Sequence, residues 1–259
     1  MSRIIEAYRA IHEQGFMPIF VDNGLDSKML VEACVNAGVK GIEYTLRRSD
    51  AHEMIPWIRS NYPDLFLLVG STLDDANIVA HCKKRYPQLL TVPELEEIGV
   101  DGFVSMIGWT QESIRKYSPT RIIIPTASTT TEAFQQMSAG AHFIKILGSD
   151  ISLVKRCRAE PAFDYCPIFV TGGQNPETIP DTIAAGALLI GSGFDLILKG
   201  MSDDVTCDQV TERLKIYLDA TKESRAKHWP ETISDTILNN SEWLKTLSHY
   251  HPFTQDTGE

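Results

Sequence analysis

The chain has 259 residues, 43% hydrophobic and 22% charged, with a formal charge of −10. A net negative surface repels phosphate backbones, which argues against nucleic-acid binding, and no apolar run approaches the roughly 20 residues of a membrane span. Five scattered cysteines lack a CxxC pair and seven histidines lack ligand spacing, so the expectation is a cytoplasmic protein without disulfides, metal or cofactor.

The opening MSRIIEAYRAIHEQG reads as an amphipathic helix and not a signal peptide, because charges run through it. Strand-like runs follow at Met17–Val21, Gly41–Leu46, Leu65–Val69, Gly102–Met106, Arg121–Pro125, His142–Leu147, Cys166–Thr171 and Ala187–Ile190. Each is near-continuously apolar, as expected of parallel strands covered on both faces. Helical periods fall between them. Ser27–Ala37 aligns Met29, Leu30, Ala33, Cys34 and Ala37; Thr131–Ala139 aligns Ala133, Phe134 and Met137; Pro176–Ala185 aligns Ile179, Ile183 and Ala184. Gly38, Gly140 and Gly186 end these helices as left-handed caps. Asn77–Tyr86 reads as a further helix, and Pro87–Gly99 as an insertion in one unit.

This alternation predicts a (β/α)8 barrel over residues 1–204, an architecture of about 250 residues. A doubly wound open sheet is the alternative, but no GxGxxG follows the first strand. Residues 205–259 read as a helical extension packed on the barrel, with a closing helix at Gln209–Lys222 and a second at Ile233–Leu247. Trp229 and Trp243 are expected to pack it onto the barrel or a neighbouring subunit. His249 and His251 are expected to face solvent in a polar tail, and Thr254–Glu259 to be disordered.

Barrel chemistry sits at the C-terminal ends of the strands. Glu43, in GIEYTL, lies in an otherwise uncharged strand. It reads either as a proton-transfer group or as half of a structural ion pair. Lys145, in HFIKILG, is a lysine in an apolar strand. It is either a nucleophilic amine, since apolar surroundings disfavour an ammonium, or a lysine that snorkels out from the strand end. Arg47 and Arg48 follow the second strand. One can clamp a carboxylate, and Arg48 is taken as the solvated surface member. Thr171, Gly172 and Gly173 end the seventh strand, and Gly191, Ser192 and Gly193 the eighth. This is where barrels bind phosphate on exposed backbone N–H groups.

With these residues in place, the chain resembles the 2-keto-3-deoxy-6-phosphogluconate / 4-hydroxy-2-ketoglutarate aldolase family. The likeness runs over roughly residues 15–198: GIEYTLR is similar to the family's EVTLR strand, IIIPTAST to PGxxT, HFIKILGSD to KFFPA, FVTGGQNP to PTGG and LIGSGFDLI to GGSWL. It implies a class I aldolase that releases pyruvate from a small 2-keto acid, and a homotrimer. Carried over by position, Lys145 would be the Schiff-base lysine, Glu43 the general acid/base and Arg47 the carboxylate arginine. Either Ser71 or Thr72 would lie near the pyruvyl carboxylate, and Thr171–Gly173 would be the phosphate turn. The sequence departs from the pattern at Met106-Ile107-Gly108 for SPG and at Ile146-Leu147-Gly148-Ser149 after the lysine. IPG reads Ile124-Pro125-Thr126, and Gly193 stands in register with the family's serine, with Ser192 before it. The rival readings are a sugar-phosphate isomerase or epimerase without imine chemistry, and a non-catalytic barrel that binds a keto acid or sugar phosphate.

Overall fold

The computed structural model describes residues 3–22, 24–148, 151–161, 164–202, 204–232 and 238–254. Eight parallel strands alternate with helices: β1 (Phe16–Phe20), β2 (Gly41–Thr45), β3 (Phe66–Gly70), β4 (Gly102–Val104), β5 (Ile122–Ile124), β6 (Ile144–Leu147), β7 (Ile168–Thr171) and β8 (Leu189–Gly193). The order around the sheet is β5-β4-β3-β2-β1-β8-β7-β6. A bridge between Thr126 and Lys145 brings β6 back to the end of β5. The Lys145 N–H donates to Pro125 O at 2.8 Å and Lys145 O accepts from Ala127 N at 3.0 Å. The barrel is thus closed at the backbone of Lys145, and all eight expected strands form, as the (β/α)8 fold requires.

The helices are α1 (Arg3–Gln14), α2 (Ser27–Asn36), α3 (Ala51–Asn61), α4 (Ala76–Lys83), α5 (Val92–Ile98), α6 (Gln111–Tyr117), α7 (Thr130–Ser138), α8 (Ile151–Ala159), α9 (Ile179–Ala184), α10 (Phe194–Ile197), α11 (Cys207–His228) and α12 (Asn240–Leu244). The third unit carries two of them. The extra one is α4. The later part of the expected insertion is α5, which has a Thr91–Glu94 capping box and ends at Gly99 with φ 83°. It buries Val92 and Leu95 in the outer core and leads into β4. On α7 the buried face is Ala133, Gln136 and Met137, whereas Phe134 is exposed. The Gln136 side-chain Oε1 accepts from Trp109 N at 3.2 Å, so a polar residue takes an inward position and Phe134 is turned outside. Ala184 of α9 is likewise exposed, and Thr182 holds the inward position beside Ile179 and Ile183. α11 packs between α2 and α9 and completes the ring of helices.

Strand alternation separates two cores. Ile42, Tyr44, Ile144, Ile146, Ile168 and Val170 face the helices. Met17, Ile19, Leu68, Val104, Ile122, Phe169 and Leu189 fill the barrel. The barrel's N-terminal end is covered by α1 through Ile4, Ala7, Tyr8 and Ile11. Each large apolar side chain buried this way contributes about 1.5–3 kcal/mol.

The C-terminal segment then packs over α1. Trp243 lies edge-on to Tyr8 and to His12, and Trp229 Nε1 donates to Ala187 O at 3.0 Å. Both tryptophans therefore hold the extension on the barrel. The second helix is shorter than expected and starts at its cap, Asn239; residues 233–237 and 255–259 lie outside the described residues. His249 and His251 do not face solvent: they are 4% and 3% exposed. His249 stacks on His12 at 4.8 Å and bonds the Tyr8 hydroxyl at 3.1 Å, and His251 bonds Leu244 O at 3.1 Å. A polar tail becomes an interior element because it meets an aromatic surface from α1.

Burial keeps these imidazoles neutral. It pushes His142 and His249 down to about 3 and His12 well below its usual value, with His251, Arg158 and Arg225 adding repulsion at one or more of them. The unfolded chain takes up protons near pH 6.5, where the folded chain does not, so stability present above that pH is lost as pH falls toward 3. Thermal melts at stepped pH are expected to show it. His142 Nδ1 accepts from Ile123 N at 3.1 Å, a bond that an asparagine oxygen can replace. His142→Asn should flatten the acid limb by about 1.4 kcal/mol per pH unit. An unchanged slope would mean that His142 gains its proton while folded.

Candidate active site

Glu43 and Lys145 are 102 residues apart and meet inside the barrel. They come from β2 and β6, and alternate strands contribute inward side chains to the same layer. Lys145 Nζ lies 3.5 Å from Glu43 Oε1, with side-chain exposures of 3% and 1%. That distance is at the outer limit of a hydrogen bond. The ammonium position is also 5.8 Å from the Phe169 ring centroid. Glu43 Oε2 has no hydrogen-bond partner among the described residues. Buried polar atoms normally have one, so an orphan carboxylate oxygen marks a place where a ligand would complete the set.

Gly70 makes this packing possible. A Cβ there would lie 2.2 Å from Glu43 Oε1, so any side chain would push the carboxylate away. The next residue, Ser71, has φ 64°, and its hydroxyl is buried without a partner among the described residues. Left-handed backbone in a non-glycine residue costs on the order of 1 kcal/mol or more and collects at functional sites. Thr72 is engaged differently, since its hydroxyl donates to Val104 O at 2.9 Å. Of the two residues near the expected carboxylate position, Ser71 is therefore the one with a free hydroxyl.

Ser71 lines a cavity of about 550 Å³ over the ends of β2 and β3, together with Arg47, His52, Arg85 and Tyr86. Neither Lys145 nor Glu43 lines it; the link is the Gly70–Ser71 step, where Glu43 covers one residue and the cavity begins at the next. Arg47 is exposed here. Arg85, from the turn after α4, adds a second guanidinium. It is far from Arg47 in sequence, and only the fold of the third unit carries it to the mouth.

Arg48 is not a solvated surface arginine. It is 7% exposed, donates to Tyr44 Oη and Asp50 Oδ1 at 3.0 Å and to Val21 O at 2.9 Å, and so locks the start of α3 to the end of β1. Burial raises the Asp50 carboxyl, but hydrogen bonds from Arg48, Ser27 and Tyr44 outweigh it and hold the pKa at about 2. Arg48→Ala would leave these groups unsatisfied, and a loss of about 3 kcal/mol is expected. Urea midpoints at an unchanged m-value would measure it; a loss under about 1 kcal/mol would mean that water replaces the guanidinium.

At the opposite side of the mouth, Gly172 and Gly173 have φ 86° and 70°, a turn that only glycine takes without strain. Thr171 is buried at the end of β7. Gly191 is inward on β8, where a Cβ would meet Phe169 at 2.7 Å. Ser192 is fully buried, and its hydroxyl donates to Gln174 O at 2.7 Å. Gly193 begins α10, and the Asp195 carboxylate folds back over it. Ser149 lies outside the described residues.

Comparison with known proteins adds to this geometry. The family described as "Aldolase: KDPG and KHG aldolase" matches residues 9–212. The 2-dehydro-3-deoxy-6-phosphogalactonate aldolase of Escherichia coli (strain K12) is 28% identical over 198 residues, which cover 74% of this chain and 88% of that protein. Among solved structures, the native KDPGal structure has a TM-score of 0.61 at 22% identity, covering 81% of this chain and 95% of its own. The KDPG aldolase from Legionella pneumophila, with pyruvate captured at low pH as a covalent carbinolamine intermediate, has a TM-score of 0.56 at 15% identity, covering 85% and 97%. At these identities the structural likenesses speak for the fold.

Proposed function

The chain belongs to the KDPG and KHG aldolase family, and from that membership we propose a class I aldolase that splits a 2-keto-3-deoxy sugar acid, phosphorylated or not, or 4-hydroxy-2-ketoglutarate, to pyruvate and an aldehyde. The observation that carries this reading is the buried pair, an amine 3.5 Å from a carboxylate whose second oxygen has no partner among the described residues. The Lys145 ammonium passes a proton to Glu43, the amine attacks the C2 ketone, and Glu43 returns that proton to the departing hydroxyl, so that water leaves and a protonated imine remains beside the Glu43 carboxylate. The imine draws the electron pair of the C3–C4 bond, leaving an enamine, while Glu43 Oε2 takes the proton of the C4 hydroxyl, directly or through a water. The aldehyde departs. A proton returned to C3 and one water restore the free amine and release pyruvate. Arg47 and Ser71, which line one cavity over β2 and β3, would hold the substrate carboxylate, and the two glycine-rich strand ends would receive the far end of the substrate. The test is borohydride reduction in the presence of pyruvate, read by intact mass and peptide mapping. A stable adduct on Lys145 is expected. No adduct at saturating pyruvate, with intact 2-keto acids isomerised instead of cleaved, would replace imine chemistry by the isomerase reading.

A further inference from the structure

We infer that the β7–β8 side of the mouth receives an uncharged, hydroxylated substrate end, and that Asp195 is the specificity residue that turns phosphate away. This deepens the aldolase reading and rests on it. In barrels, phosphate is held by the loops after strands seven and eight and by the start of a short extra helix. Here that helix is α10, and its start already faces an anion of the chain itself. The Asp195 carboxylate lies over Gly193, so close that a Cβ on Gly193 would be 2.2 Å from its Oδ1. Asp195 is exposed at this rim, and a phosphate arriving there would meet its like charge.

The ionisable residues on the strand-seven side have the same sign. The cavity beside the Gly172–Gly173 turn, about 560 Å³, is lined by Glu177 and Asp181 and, among the described residues, by no lysine or arginine. The Ser192 hydroxyl, which could have donated to a phosphate, is turned to the Gln174 carbonyl. Arg213, on α11, acts on the Tyr217 hydroxyl under α10 together with Asp195, but no ion pair within 4 Å joins it to Asp195. Across the mouth, Arg47 and Arg85 line the cavity over β2 and β3. The opening is therefore positive where a 2-keto acid places its carboxylate and negative where its tail lies. A polyol tail suits that field, because hydroxyl groups can donate to Asp195.

The test uses the full chain and Asp195→Asn, which keeps the shape and removes the charge. Pyruvate release would be measured from 2-keto-3-deoxygluconate and from its 6-phosphate. The wild type is expected to favour the unphosphorylated acid in kcat/KM by at least about tenfold, or about 1.4 kcal/mol, and the variant to shrink that ratio by a similar factor. A wild type that prefers the phosphate ester, or a ratio that the variant leaves unchanged, overturns the inference. Glycerol 3-phosphate titrated calorimetrically separates this from failure of the aldol reading. No saturable binding to wild type and measurable binding to Asp195→Asn are expected whether or not pyruvate is trapped on Lys145; binding to wild type that the variant does not tighten overturns the inference by itself.

Discussion

Lys145→Ala is expected to lose the borohydride-trapped pyruvate adduct completely and to lower turnover by on the order of 10⁴-fold or more, since the group that forms the covalent intermediate is gone. The variant also removes the positive partner of a carboxylate that is 1% exposed, so loss of activity alone could reflect a weakened fold. Lys145→Met answers this, because it keeps most of the volume against Phe169 without an amine. Both variants should give native circular dichroism, bind no pyruvate covalently and cleave no 2-keto acid. An adduct that persists in either, mapped to another lysine, would sink the assignment of Lys145. An adduct present only in wild type, with cleavage retained in Lys145→Met, would show that imine formation is a side reaction.

Glu43→Gln separates the two readings of the carboxylate. If Glu43 moves the proton of the C4 hydroxyl, the variant should still form the pyruvate adduct, while kcat for cleavage drops about 10²–10⁴-fold. If Glu43 only balances the Lys145 charge, the effect should fall on stability. Removing one partner of a buried ion pair costs about 3–5 kcal/mol, and the folded fraction would then turn over near the wild-type rate. The geometry favours the first outcome. At 3.5 Å the pair is looser than a structural salt bridge needs, and one carboxylate oxygen makes no bond among the described residues. Urea unfolding beside single-turnover cleavage decides. Glutamine is isosteric, so the approach to Gly70 is kept, and a change in turnover cannot be ascribed to lost packing there.

Much of this molecule was legible in the sequence. Short apolar runs separated by helical periods and terminal glycines determined the eight strands and their order, because parallel strands covered on both faces have little other way to bury their side chains. Lys145 and Glu43 stood out because a charge inside such a run is costly unless something answers it. The residues that eluded the pattern were those whose environment comes from distant chain. Arg47 and Arg48 are neighbours with the same chemistry. Which one is buried depends on Tyr44, Asp50 and the Val21 carbonyl, and no periodicity distinguishes adjacent residues in the turn after a strand. His249 and His251 look solvated in a polar tail, yet Tyr8 and His12, more than two hundred residues earlier, bury them. Phe134 fits the helical period and is exposed because Gln136 has a backbone group to satisfy. Asp195 is one acidic residue in the strand-eight segment until the fold sets its carboxylate over Gly193. The barrel and the two charged groups in its wall follow from the order of residues alone, since burial of apolar runs is a local demand on each strand. What each polar side chain faces comes from the fold, because partners across a closed barrel are brought together by strand order and register rather than by distance along the chain.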